Sequence, residues 1–108
     1  MAGRRKLSPR AERRALARAA DKLGHAREKL AKLEAGGAPE RPIDVVSASQ
    51  VEPIALSAQC LRCEAPVRVE EHAAETIEGR RLRVVCVICP QCAAQRTLYF
   101  RIVGGELN

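Results

Sequence analysis

The sequence predicts an α+β chain in which one long N-terminal amphipathic helix precedes a small three-stranded antiparallel sheet. Three observations predict it. Leucines recur every seven residues between a helix-start signal and a Gly-Gly stop, and three runs in the C-terminal half alternate apolar with polar residues. Four of the five cysteines fall in two Cys-x-x-Cys pairs, Cys60/Cys63 and Cys89/Cys92, with twenty-five residues between the pairs.

Residues 1–35 read as a basic amphipathic helix. Ser8 supplies an N-cap, Pro9 occupies the first helical position, and Gly36-Gly37 follow the last turn at Ala35. At 1.5 Å per residue such a helix is about 40 Å long. Leu16, Leu23 and Leu30 form one row of a heptad seam, and Ala19, Ala26 and Leu33 form the other. Beside the seam Arg14, Arg18, Lys22, His25, Lys29 and Lys32 recur at spacings of three and four, the regularity that lines up cations against a polyanion. Of the formal net charge of +6, the whole excess lies here: residues 1–35 hold eleven Lys/Arg against four Asp/Glu, residues 36–108 eight against nine.

Residues 36–57 read as an extended, flexible linker, broken by Gly36, Gly37, Pro39, Pro42 and Pro53, with room for a short strand around Val51 to Leu56. Residues 58–108 carry the sheet. Val67 and Val69 open the first strand, Leu82, Val84, Cys86 and Ile88 mark the second, and Leu98, Phe100 and Ile102 the third. The inner face is expected to hold Val67, Val69, Leu82, Val84, Leu98 and Phe100, leaving Arg68, Arg83, Tyr99 and Arg101 outside. Between the first two strands Glu70, Glu71, His72, Glu75 and Glu78 read as an acidic loop leading to a turn at Gly79.

Tetrahedral zinc takes four thiolate or imidazole ligands, and each Cys-x-x-Cys turn brings two sulfurs to one ion. Cys60, Cys63, Cys89 and Cys92 are therefore the expected ligands of one structural Zn2+. The need for it is physical. With Tyr99 and Phe100 as its only aromatics, a sheet of about fifty residues buries little, and structural zinc adds roughly 10–16 kcal/mol. Rubredoxin-like iron uses the same four sulfurs and makes a lesser alternative as an electron carrier, although its aromatic core has no counterpart here. A thiol oxidoreductase places its pair at a helix start in a βαβ unit, which neither pair does. Cys86 reads as a structural thiol turned inward among valines. His25 and His72 have no catalytic companions, and no phosphate loop, metal-hydrolase pair or nucleophile elbow is present, so no enzyme activity is expected.

Through Cys60-x-x-Cys63 and Cys89-x-x-Cys92 around a hairpin, the chain resembles the zinc-ribbon class over about residues 58–103. Glu64 and Ala93 stand where many zinc ribbons place a glycine. The resemblance implies partners from the transcription and translation machinery, nucleic acids or nucleoprotein complexes. Within that class, transcript-cleavage factors present an Asp-Glu pair at the hairpin tip, whereas this chain has Glu70-Glu71 near that loop.

The sequence thus leads to an intracellular adaptor in a reducing, cytoplasmic setting, since no apolar signal segment opens the chain and nothing approaches the roughly twenty apolar residues of a membrane span. Arg14, Arg18, Lys22, Lys29 and Lys32 are the expected phosphate contacts, with Arg68, Arg83, Tyr99 and Arg101 as a second set on the ribbon. The competing expectation is docking through Leu16, Leu23 and Leu30 to an acidic protein or to a second copy of the chain.

Overall fold

A computed structural model describes residues 8–104. The long helix, α1 (Pro9–Ala31), starts where expected: the Ser8 hydroxyl accepts the Ala11 N–H at 3.1 Å, and Pro9 needs no donor there. It ends four residues before the expected Ala35, at a cap on Lys32. The reason lies in the turn that follows. Gly36 adopts φ +85° with Ile43 packed where a Cβ would stand, Gly37 lies so close to the Ala31 carbonyl that no side chain fits, and Arg41 Nη2 donates to the Lys32 carbonyl at 2.7 Å. Leu33 therefore lies beyond the helix, and the heptad seam shrinks to Leu16, Ala19, Leu23, Ala26 and Leu30.

Segment 36–57, expected to be an extended linker, is folded. It contains β1 (Ile43–Val45), one turn of 3-10 helix (Ala48–Gln50) and α2 (Val51–Ser57). The stretch with room for a short strand, Val51 to Leu56, is a helix instead. Val51 and Ala55, four residues apart on one helical face, are both fully buried, so tertiary packing holds seven residues that propensity alone would not. Gln50 helps by accepting the Val46 N–H on its side-chain oxygen at 2.8 Å.

The sheet has four strands rather than three, in the order β1-β4-β3-β2. Antiparallel β2 (Arg68–Ile77), β3 (Arg80–Ile88) and β4 (Gln95–Ile102) form the expected meander, and β1 joins it parallel to β4 with Ile43 opposite Phe100. The expected acidic loop is strand: Glu70, Glu71, His72 and Glu75 all lie in β2, which reaches a two-residue turn at Glu78-Gly79, φ +50° and +80°. Positive φ at both central residues matches the twist of a tight hairpin.

The core consists of Val45, Val51, Ala55, Val85, Val87, Leu98 and Phe100, with α2 closing one face of the sheet. Leu98 and Phe100 point inward as expected, but Leu82 and Val84 do not face this core. Val85 pairs with Leu98, so Val85 and Val87 share its face while Val84 and Cys86 belong to the other. Cys86 is half-buried on that second face, its thiol 3.7 Å from Glu70 Oε1, and not inward among valines.

Candidate metal centre

The two cysteine turns share one backbone design. In the first, the Cys60 N–H donates to the Ala65 carbonyl at 3.0 Å and the Glu64 N–H to the Cys60 carbonyl at 2.9 Å; in the second, Cys89 to Ala94 and Ala93 to Cys89 do the same at 2.9 and 2.8 Å. Each turn closes through a residue in the left-handed region, Glu64 at φ +62° and Ala93 at φ +63°. These are the two positions where a glycine is commonly found, and the geometry that glycine favours is kept without it, at about 1–2 kcal/mol each. The first turn follows α2 and leads into β2, and the second joins β3 to β4, so the sheet sets one opposite the other.

All four sulfurs lie within 4.8 Å of one another. Cys60 meets Cys92, and Cys63 meets Cys89, at 3.4 Å between Sγ atoms. A tetrahedral ion with bonds of about 2.3 Å to sulfur separates its ligands by about 3.8 Å, so the donor set fits one four-coordinate thiophilic cation. The first cysteine of each turn is buried and the second exposed, and Ala65 packs beside Cys60 and Cys89.

Electrostatics prepare the inner pair for thiolate. Burial tends to raise the Cys60 thiol, but the N–H groups of Cys63 and Arg62 and the Cys92 thiol outweigh it and bring it below its ordinary value. Cys89 falls to about 7, first through the Cys92 N–H. Cys63 moves the other way, up to about 12: the Ala65 N–H favours its thiolate, but its thiol bond towards Cys89, burial and the other sulfurs override that. Cys92 is likewise raised, the help of the Ala94 N–H being outweighed by its bond towards Cys60. Each close sulfur pair, Cys60 with Cys92 and Cys63 with Cys89, is spaced to share a proton, and a dication would displace the protons the four thiols carry.

Arg62, inside the first turn, ties this centre to α1. Its Nη1 reaches Asp21 Oδ1 at 3.1 Å and its Nη2 reaches Glu28 Oε1 at 2.9 Å and His25 Nε2 at 3.4 Å, and the bonds to Glu28 and then Asp21 raise its pKa. Its side chain lies over Gly24, where a Cβ would stand 3.3 Å from Arg62 Cγ. Arg27 adds a bond to the Leu61 carbonyl at 3.4 Å. The helix therefore docks by the face carrying Asp21, Gly24, Arg27 and Glu28, and the leucine seam turns away: Leu16, Leu23 and Leu30 are 71%, 52% and 62% exposed.

Arg14, Arg18, Lys22, Lys29 and Lys32 are all exposed, and none enters an ion pair among the described residues. The expected second set does not gather. Arg83 is half-buried on the face of Phe100, Arg68 and Tyr99 lie on the opposite face, and Arg101 is held by a two-pronged pair with Asp44 at 2.9 and 3.0 Å. His72 faces the core and bonds Glu52 of α2 at 2.8 Å through Nδ1, away from the sulfurs. Sequence reasoning missed Arg62 as the docking residue; the acids Asp21 and Glu28, seven apart with Gly24 between, were its signal. Compared with protein-family models, with curated proteins and with solved structures, the chain finds no match. The four cysteines form one cluster able to hold a metal ion, in a zinc-ribbon-like arrangement. No helix among the described residues is long and apolar enough to cross a membrane.

Proposed function

We propose that the four cysteines hold one structural zinc and that the module so built presents α1 to nucleic acid or to a nucleoprotein complex inside a reducing compartment. One observation carries this reading: Asp21 and Glu28 of α1 are turned to Arg62, while Arg14, Arg18, Lys22, Lys29 and Lys32 stand uncompensated on the solvent side. Such a row gains by releasing counterions from phosphates. The test is the salt dependence of oligonucleotide binding. Five phosphate contacts give a log-log slope of about −3 to −5, and Arg18→Glu with Lys22→Glu weakens binding by tenfold or more. Wild-type affinity in that double variant would refute the role of the stripe.

A second reading rests on the leucine seam, whose exposure suits protein docking. The positions flanking the seam, Lys22, Arg27 and Lys29, are cationic, which opposes pairing with a second copy and favours an acidic amphipathic partner. Binding by this route persists at high salt and is lost on Leu23→Asp.

A further inference from the structure

Between the end of α1 and β4 lies a cleft of about 350 Å³ beside the first cysteine turn, lined by Lys32, Cys86, Gln95, Arg96, Thr97 and Tyr99 among others. Arg96 is half-buried there, and its guanidinium has no hydrogen-bond or ion-pair partner among the described residues. Burial lowers its pKa and the more distant Glu34 offsets this only in part, so the cation is paid for by no contact. A partly desolvated cation with five unused donors is costly unless an anion meets it. Lys32, the second cation of the cleft, is unpaired as well. Glu28, the acid on its wall, is already engaged by Arg62 at 2.9 Å.

We propose that this cleft binds a phosphoryl group, with Arg96 as its forked donor and Lys32 as the second charge. A guanidinium matches two phosphoryl oxygens at once, whereas an ammonium meets them as a point charge. The site deepens the nucleic-acid reading and, for the identity of its ligand, rests on it. Lys32 is also the last cation of the α1 stripe, and a shallow pocket lined by His25, Glu28, Lys29 and Lys32 adjoins the cleft. A strand lying along the stripe therefore brings its terminal phosphate to Arg96.

The test uses the full-length zinc-loaded protein with single-stranded ten-nucleotide RNAs that carry a 5′-phosphate, a 3′-phosphate or neither, and with inorganic phosphate alone. One terminal phosphate tightens binding about tenfold, the share of one charge-assisted contact. Arg96→Gln removes that increment and leaves the affinity for the phosphate-free strand, and Arg96→Lys restores only part of it. Arg18→Glu with Lys22→Glu weakens all three strands alike and keeps the increment, so failure of the stripe and failure of the cleft are read separately. Binding of inorganic phosphate that Arg96→Gln abolishes, without any terminal-phosphate increment, assigns the site to a free phosphate or mononucleotide and refutes the strand-end ligand. Equal affinity for all three strands with no response to millimolar phosphate, or an increment that survives Arg96→Gln in a variant of unchanged thermal stability, overturns the proposal.

Discussion

The sheet and the long helix are secured by different physics. β3 and β4 bury Val85, Val87, Leu98 and Phe100 beneath α2, whereas α1 leaves Leu16, Leu23 and Leu30 in solvent and is fastened chiefly through Arg62. Apolar burial is insensitive to salt, while a partly exposed ion pair is worth about 0–1 kcal/mol and weakens as salt rises. The fastening residue sits between Cys60 and Cys63, so the position of the helix depends on the cysteine turn keeping its shape.

Removal of the zinc we propose breaks this comparison at its root and has the largest expected effect. Chelation, or Cys89→Ser, removes roughly 10–16 kcal/mol of binding energy, and both the strand signal in far-UV circular dichroism and the docking of α1 go with it. Retention of the strand signal would show that the core under α2 stands alone and that the cysteines organise only the turns. Arg62→Ala separates the two regions more gently. Global stability falls by no more than about 1 kcal/mol, because the pair is partly exposed, yet amide exchange across α1 accelerates towards that of an isolated helix while the sheet stays protected. Unchanged exchange in α1 would mean that the helix is held by something other than this arginine. The smallest effect tests the turns themselves: Glu64→Gly and Ala93→Gly relieve left-handed strain and, after the added freedom of the unfolded chain, stabilise by up to about 1 kcal/mol each in thermal melts of the metal-loaded protein.

Much of this was legible where local chemistry leaves one choice. Ser8-Pro9 marks a helix start, and paired Cys-x-x-Cys turns converge on one ion, so the start of α1 and the sulfur cluster both follow from short motifs. Other features were hidden because local patterns tie. Residues 84–88 of β3 are apolar on both faces, so alternation could not decide whether Val84 or Val85 points to the core, and only the pairing with Leu98 does. In β2 an irregularity between Val69 and Glu71 breaks the alternation, which made a strand read as a loop. β1 and α2 are too short and too interrupted by proline for any period to register; burial of Val45, Val51 and Ala55 against distant strands specifies them. Arg96 escaped notice because an isolated arginine in a strand announces nothing until its lack of a partner is seen in space.

The acidic stretch of β2 has a consequence for the molecule among its own kind. Strands at the margins of a sheet expose unpaired backbone groups on which another chain can add itself, and such addition is the first step of aggregation. One margin here, β1, is three residues long, and the other, β2, carries Glu70, Glu71 and Glu75, its pairing disturbed near Glu70. Like charges repeated along that margin oppose the edge-to-edge addition of a neighbouring copy, and the irregularity near Glu70 spoils the regular backbone pattern that such addition needs.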